Sequence, residues 1–163
     1  MDQFRDFYRD FKNGIISAED YWPLWRNVWD HCEHFTSYFE GNLSERDNVL
    51  GALFSQHTHL RSKFMTPEEN LRLLSLTEYV TIFRGGQQAN ISGWSWTLER
   101  EYAEKCARSG ASDNRPLLAV VSSLSSAAVL AYIEKEGASE LIVDPLTITI
   151  ETGDCAKFAF ERL

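Results

Sequence analysis

Apolar residues in the first half of the chain recur at the three- and four-residue spacing of amphipathic helices. The stripes that this spacing defines cover residues 4–11, 22–39 and 50–64. Ser17 and Ser44 precede the second and third stripes as candidate helix caps, and Thr66-Pro67-Glu68-Glu69 has the pattern of a further helix start. The pattern therefore predicts helix through most of the first half.

From residue 79 the pattern changes, because alternate residues now share a face with the period of two that a pleated strand imposes. The predicted strands are residues 79–84, 93–97, 116–122, 140–144 and 146–151. Helices are predicted after Thr97, through about residue 108, and over residues 125–133. Gly85-Gly86 is expected to end the first strand, and Pro145 to separate the last two.

Together these elements predict an α+β fold in two parts. Residues 1–76 form a helical region that serves as scaffold or recognition element. Residues 77–163 form a compact domain with a mixed or antiparallel β-sheet. The aromatic face of residues 4–39 is expected to be core between helices, with a partner-binding groove as the alternative.

Charge and hydropathy limit the partners of the chain. It has 163 residues with 24 Asp and Glu against 16 Lys and Arg, a formal net charge of -8. No basic stripe is present to follow phosphates, so we expect no nucleic-acid partner. The apolar runs fall short of the roughly 20 residues of a membrane helix, and Met1-Asp2 opens no signal peptide. We therefore expect a soluble cytoplasmic protein with no membrane association.

Neither the cysteines nor the histidines predict a metal centre. Cys32, Cys106 and Cys155 are odd in number and widely spaced, so we expect reduced, mostly buried thiols. His31 and His34 could share a helix face, but no further residues with the spacing of zinc ligands accompany them. We expect no metal.

Three segments of the second half carry the candidate chemistry. They are Phe83-Arg84-Gly85-Gly86, Gly93-Trp94-Ser95-Trp96-Thr97-Leu98-Glu99 and Ala138-Ser139-Glu140-Leu141-Ile142-Val143. In order and spacing these segments resemble the ADP-ribosyltransferases of the arginine, serine, glutamate type, particularly small phage- and prophage-encoded members. The resemblance covers roughly residues 79–146.

The resemblance implies a role for each matching residue. Arg84 would end the first core strand and pair with the phosphates of NAD, while Ser95, on the next strand, would support the site. Glu140, near the start of a late strand, would hydrogen-bond the nicotinamide ribose and stabilise the oxocarbenium-like transition state. The main chain at Gly85 would hold the nicotinamide amide.

The same residues can be interpreted without the family. An arginine at the end of an apolar strand is costly unless its charge meets an anion such as a diphosphate, pairs with a carboxylate or is exposed to solvent. Trp96 could stack on a ring of the ligand or belong to the core, and Thr97 could line the site or cap the following helix. Glu140 lies at the mouth of a buried strand, where burial without a partner is costly.

Two departures from the family pattern bear on the acceptor. Arginine-modifying relatives carry a second glutamate two residues before the catalytic one, and this chain has Ala138 there, with Glu136 two residues earlier. Arginine modification is therefore disfavoured unless Glu136 reaches the site. Ser95 lies in Ser-Trp-Thr where many relatives have Ser-Thr-Ser, which leaves open the role of Thr97.

The resemblance implies a mono-ADP-ribosyltransferase that uses NAD as substrate and modifies a protein target. The phage-like resemblance implies an effector that acts on a host or defence protein in the host cytoplasm. The predicted catalytic residues are Glu140, Arg84 and Ser95, and the predicted NAD-binding residues are Arg84, Gly85, Ser95, Trp96 and Thr97. The alternatives are an NAD glycohydrolase and a non-catalytic binding or inhibitor protein that keeps the fold.

Overall fold

A computed structural model describes residues 3–32, 35–88, 90–109, 115–148 and 157–163 of the chain. The chain divides into two compact units, Met1–Thr66 and Pro67–Leu163. This division lies ten residues before the predicted boundary between residues 76 and 77. The reason is the helix Pro67–Leu74, which packs on a strand of the second unit.

The first unit is helical in the residues described. Its α-helices are α1 (Gln3–Lys12), α2 (Ala18–His31), α3 (Phe35–Tyr38) and α4 (Leu43–Phe54), followed by a 3₁₀ helix at Thr58–Phe64. Ser17 caps α2 as predicted, since its Oγ accepts from the Asp20 N–H at 3.2 Å. Asn42, not Ser44, caps α4. The predicted third helix does not continue to residue 64, because α4 ends at Phe54 and His57, with a left-handed φ of 45°, separates it from the 3₁₀ helix.

Aromatic rings form the core of the first unit. Phe4, Tyr21, Trp22, Trp25 and Phe64 are almost fully buried, and their rings meet in tilted and edge-to-face pairs. Two of the polar tips reach main-chain acceptors: the Tyr21 hydroxyl donates to the Leu53 carbonyl at 2.6 Å, and the Trp22 indole to the His57 carbonyl at 2.9 Å. The aromatic stripe is therefore core between helices.

The second unit contains two three-stranded antiparallel sheets. Its helices are α5 (Pro67–Leu74), α6 (Arg100–Ser109) and α7 (Pro145–Ile148). Its strands are β1 (Tyr79–Gly86), β2 (Ser95–Trp96), β3 (Leu117–Ser125), β4 (Val129–Lys135), β5 (Ala138–Val143) and β6 (Lys157–Arg162). The sheet orders are β1-β3-β6 and β2-β5-β4. This mixture of helices and antiparallel strands confirms the α+β class.

A single bridge connects the two sheets among the residues described. Phe83 and Thr97 exchange main-chain hydrogen bonds, N–H to carbonyl, of 2.8 and 2.9 Å. β1 thereby lies beside β2, and the strands follow one another in the order β4-β5-β2-β1-β3-β6. Apolar residues from both sheets, including Ile82, Val121, Leu141 and Val143, form one buried cluster.

Two of the predicted elements are wrong. Residues 125–133 do not form a helix, because Val129, Ala131 and Ile133 are buried with the period of two that a strand requires. Ser125 ends β3, Ser126–Ala128 form one turn of 3₁₀ helix, and β4 begins at Val129. β4 turns into β5 through Glu136-Gly137, with Gly137 at φ 74°. Residues 145–148 form the short helix α7 instead of a strand, and the rest of that predicted strand lies outside the described residues.

Helix α5 is fixed to the sheet by a buried carboxylate. Glu69, which is 3% exposed, accepts the main-chain N–H of Glu134 on β4 at 2.9 Å. Arg72 on the same helix forms an ion pair with the Glu134 side chain at 3.1 Å.

Within the described ranges, no helix is both long and apolar enough to cross a lipid bilayer.

Helix α6 lies so close to β1 that only glycine fits at position 85. A Cβ built there would be 1.8 Å from the Ala103 carbonyl oxygen and 2.7 Å from the Ala107 nitrogen. Ala103 and Ala107 are themselves buried small residues on the facing side of α6. Gly85 is thus required for close packing of helix on strand.

We expect Gly85→Ala to lower the free energy of unfolding by about 3 kcal/mol or more, since overpacking against main chain leaves no side chain to move aside. Gly137→Ala is the matched control in the same unit: its Cβ meets nothing within 4 Å, and only the φ of 74° is unfavourable. That control should cost about 1–2 kcal/mol. Denaturant unfolding measures both, and equal losses would contradict the close-packing role of Gly85.

Candidate active site

The structure brings Arg84, Ser95 and Glu140 to three neighbouring strands. Arg84 lies near the end of β1, Ser95 begins β2, and Glu140 is the third residue of β5. β2 pairs with β5 through Ser95 and Ile142, and β1 is joined to β2 by the bridge at Phe83. Residues up to 56 positions apart in the chain therefore surround one place.

Glu140 is held by a partner at each carboxylate oxygen. Ser95 Oγ donates to Oε2 at 2.5 Å, and the Lys135 ammonium lies 3.3 Å from Oε1. Glu140 is 7% exposed, so its charge depends on these partners for the stabilisation that water would otherwise give. The site thus presents an oriented carboxylate next to a hydroxyl and a cation.

Arg84 is engaged with the main chain of the segment that leads into β2. Its guanidinium donates to the carbonyls of Ile91 at 2.9 Å, Ser95 at 2.9 Å and Asn90 at 3.1 Å. Gly93 permits this arrangement, because a Cβ there would lie 2.3 Å from the Arg84 guanidinium carbon. These bonds fix the main chain of the segment that leads to Ser95. That Arg84 also meets a diphosphate stays a prediction.

The other predicted ligand-binding residues have structural roles of their own. Trp96 is 4% exposed, and its indole donates to the Gly93 carbonyl at 3.0 Å, so most of its ring belongs to the core. Thr97 is 4% exposed; its Oγ1 donates to Glu99 and accepts the Glu99 N–H at 3.2 Å. Thr97 therefore organises the turn into α6, which begins at Arg100.

A cavity of about 120 Å³ opens beside these residues. It is lined by Arg84, Gly85, Ser95, Trp96, Tyr102, Ala103, Cys106, Lys135, Ser139 and Glu140. Among the predicted site residues, Arg84, Ser95 and Glu140 contribute polar side chains from β1, β2 and β5, and Gly85 contributes main chain from β1. Helix α6 forms the facing wall. The cavity is smaller than the roughly 300–1,000 Å³ of sites that bury a drug-sized ligand.

Several lining residues were not predicted from the sequence. Lys135 becomes recognisable only when residues 129–135 are known to be a strand, because the β4–β5 turn then carries it beside Glu140. Tyr102 and Cys106 share a face of α6 one helical turn apart, and the helical period signals that face once the helix is placed. Cys106 is exposed and Cys32 is half-buried, so the expectation of mostly buried thiols is wrong for Cys106. Cys155 lies outside the described residues.

A second carboxylate, that of Glu99, ties the start of α6 to β5. Its Oε2 accepts from the Ser139 N–H at 2.8 Å, the Ser139 hydroxyl at 2.7 Å and the Thr97 hydroxyl at 2.7 Å. Ser139 Oγ also accepts the Leu98 N–H at 3.1 Å. Because Ser139 adjoins Glu140, this cluster fixes β5 relative to the helix that forms the opposite wall.

The pKa values around the site follow from burial and hydrogen bonding. Burial by itself would raise the pKa of Glu99, but the donors from Thr97 and Ser139 together outweigh it and hold that pKa below its usual value. Burial is also the main reason that the pKa of the Tyr102 hydroxyl is raised, with Cys106 and Glu140 adding to the effect. Tyr102 is thus a neutral hydroxyl at physiological pH.

The described residues contain no group of three or more His, Cys, Asp or Glu side chains that could hold a metal ion. His31 has its Nδ1 2.7 Å from the Asn27 carbonyl of its own helix. Its predicted companion, His34, lies outside the described residues.

Comparison with protein-family models, curated proteins and solved structures gives no match for this chain. What the site can do is therefore inferred from its own geometry. An oriented carboxylate, a neutral phenol and an accessible cation at one small cavity are suited to stabilise positive charge on a bound molecule and to recognise an anionic part of it.

We expect Glu99→Gln to destabilise the second unit by about 1–3 kcal/mol at pH 7, because hydrogen bonds to a charged acceptor are replaced by bonds to a neutral amide. The carboxylate has a lowered pKa in the folded state. Its contribution is therefore complete above the unfolded pKa of about 4.3 and is lost as pH falls through the lower folded value.

The wild-type protein should accordingly lose more stability than Glu99→Gln between about pH 5 and pH 3. Thermal unfolding at a series of pH values measures this difference. Glu101→Gln, which removes an exposed carboxylate from the first turn of α6 two residues later, is the control and should follow the wild type. Parallel curves for wild type and Glu99→Gln would contradict the role of the ionised carboxylate.

Proposed function

We propose that this chain is an NAD-dependent mono-ADP-ribosyltransferase that modifies a protein. The observation that carries the proposal is the hydrogen bond of Ser95 to Glu140 beside the cavity, with Arg84 on the adjoining strand. The sequence resemblance requires these three residues to act together, and the strand order makes them neighbours. The absence of a matching relative leaves the test to experiment.

The cavity fits one part of NAD. At about 120 Å³ it takes a single ring with its amide, and a whole dinucleotide exceeds it. Main chain at Gly85, which carries no side chain into the cavity, would hold the amide of a nicotinamide ring, and Trp96 would border that ring. Bound NAD supplies the bond between nicotinamide and ribose that the reaction breaks.

Glu140 is the catalytic residue in this proposal. Its carboxylate faces the positive charge that grows on the ribose as the bond to nicotinamide breaks, and electrostatic stabilisation of this kind lowers the barrier. Ser95 holds the carboxylate in one orientation, so little reorganisation is needed during the reaction. Arg84 positions Ser95 from the other side through its bond to the Ser95 carbonyl.

The acceptor is proposed to be a protein side chain other than arginine. Ala138 occupies the position of the second glutamate found in arginine-modifying relatives, and it leaves no carboxylate there. Glu136 is exposed in the β4–β5 turn, on the far side of Lys135 from Glu140 along the hairpin. The net charge of -8 favours a basic or neutral target over a nucleic acid.

Glu140→Gln should lower the rate of nicotinamide release from NAD by at least about 100-fold, because an amide keeps the size of the side chain and loses its charge. Ser95→Ala should lower kcat by about tenfold with little change in KM, since it removes orientation rather than binding. Nicotinamide release is measured by chromatography, with thermal unfolding as the control for folding.

The same incubation, with labelled NAD and a cell lysate, distinguishes the candidate functions. Label on proteins with wild type, and none with Glu140→Gln, supports the transferase. Nicotinamide release without labelled protein indicates an NAD glycohydrolase. A folded wild type that releases no nicotinamide and labels no protein favours a non-catalytic binding or inhibitor protein.

We further propose that the helical unit supplies recognition of the target, for example a host or defence protein if the chain is a phage effector. A chain that starts at residue 67 keeps every described strand and α5 to α7. It should release nicotinamide at a rate within about threefold of the full chain and label the target at least about tenfold more slowly. Unchanged labelling of the target would contradict recognition by the helical unit.

A further inference from the structure

A dinucleotide bound at the cavity would need a cation for its phosphates, but Arg84 already donates to main-chain carbonyls. Nε, Nη1 and Nη2 of Arg84 each donate to a main-chain carbonyl of residues 90–95. Reorienting the guanidinium toward a ligand would break two partly buried hydrogen bonds, to the Ile91 and Ser95 carbonyls, and an exposed one to the Asn90 carbonyl, which is costly. Arg84 is thus better suited to fixing the main chain of residues 90–95 than to binding a phosphate.

Lys135 is the other cation among the described residues that line the cavity. It is the last residue of β4, and its side chain is 45% exposed. The β4–β5 hairpin pairs Lys135 with Ala138, so its side chain is both solvent-exposed and part of the cavity lining. A lysine has three donors on a flexible stem and binds phosphate as a point charge.

The ion pair of Lys135 with Glu140 is long enough for the ammonium to exchange the carboxylate for another anion. Its N–O distance of 3.3 Å exceeds the 2.7–2.9 Å of a strong charge-assisted hydrogen bond. The ammonium is 45% exposed and the carboxylate is buried, so the bond that Lys135 forms to an incoming anion must offset the loss of its bond to Glu140. Glu140 would keep the hydrogen bond from Ser95 if the ammonium turned to another anion.

We propose that Lys135 binds the diphosphate of the dinucleotide substrate. This inference rests on the proposed function, because it names the residue that recognises the anionic part of the same ligand. When a diphosphate draws the ammonium away from Oε1, the charge of Lys135 no longer offsets that of the Glu140 carboxylate at the cavity. Substrate binding therefore prepares the carboxylate for the positive charge that it stabilises.

The test compares two ligands, NAD and nicotinamide riboside, which carries the same ring and ribose without any phosphate. Lys135→Met removes the charge, Lys135→Arg keeps it, and Lys105→Met removes an exposed charge on α6. Dissociation constants are measured by calorimetry on the full chain, and thermal unfolding verifies that each variant is folded.

Lys135→Met should weaken NAD binding by about 10- to 100-fold, the loss expected for a charged hydrogen bond, and leave nicotinamide riboside within about twofold. Lys135→Arg should restore NAD binding to within about threefold, and Lys105→Met should match the wild type. Added salt should weaken NAD binding to the wild type more than to Lys135→Met.

Other outcomes overturn the inference in distinguishable ways. Equal loss of both ligands with Lys135→Met, or unchanged NAD binding, contradicts a role in binding the diphosphate. A wild type that binds NAD normally but releases no nicotinamide refutes the proposed reaction and leaves the binding comparison valid. A wild type that binds neither ligand overturns both proposals.

Discussion

The two main-chain hydrogen bonds between Phe83 and Thr97 join the sheets of the second unit. Without that bridge, the end of β1 and the start of β5 would belong to separate three-stranded sheets. With it, Arg84, Ser95 and Glu140 lie on consecutive strands, since β2 pairs with β1 on one side and β5 on the other. Because the bridge joins main chain to main chain, it requires no particular side chain at Phe83 or Thr97. The sequence supports it through the side chains that pack around it.

Two charged groups near this bridge are stabilised in different ways. Arg84 meets the main-chain carbonyls of the segment that leads into Ser95, which fixes a stretch with little regular structure of its own. Glu140 meets a hydroxyl and an ammonium, both of which can exchange partners. Arg84 therefore fixes a segment of main chain, whereas Glu140 is held by side chains at the cavity.

Close packing and polar contacts together determine the size of the cavity. Gly85 lets α6 approach β1 until main chain meets main chain, and Glu99 binds the start of α6 to Ser139 on β5. The helix is thereby held at two points, with Tyr102 and Cys106 between them. The cavity of about 120 Å³ lies between this helix and the strands.

The sequence predicted the elements whose pattern is local. Alternation predicted β1, the spacing of apolar residues predicted the helices of the first unit, and the order of Arg84, Ser95 and Glu140 indicated the candidate site. It failed at residues 125–133, where an apolar run with alanines fits a helix or a buried strand, and pairing with β5 decides for the strand. It also failed at residues 145–148, where Asp144 hydrogen-bonds the start of a short helix.

The amino-acid sequence by itself determined the class of fold and the type of most elements, because these depend on neighbours in the chain. The order and spacing of its motifs indicated the three candidate site residues. The tertiary structure alone decided which charges meet. Lys135 reaches Glu140 through a hairpin, Glu99 reaches Ser139 across 40 residues, and Arg84 finds carbonyls in place of a carboxylate. Such pairings depend on strand register and helix position, which no local pattern encodes.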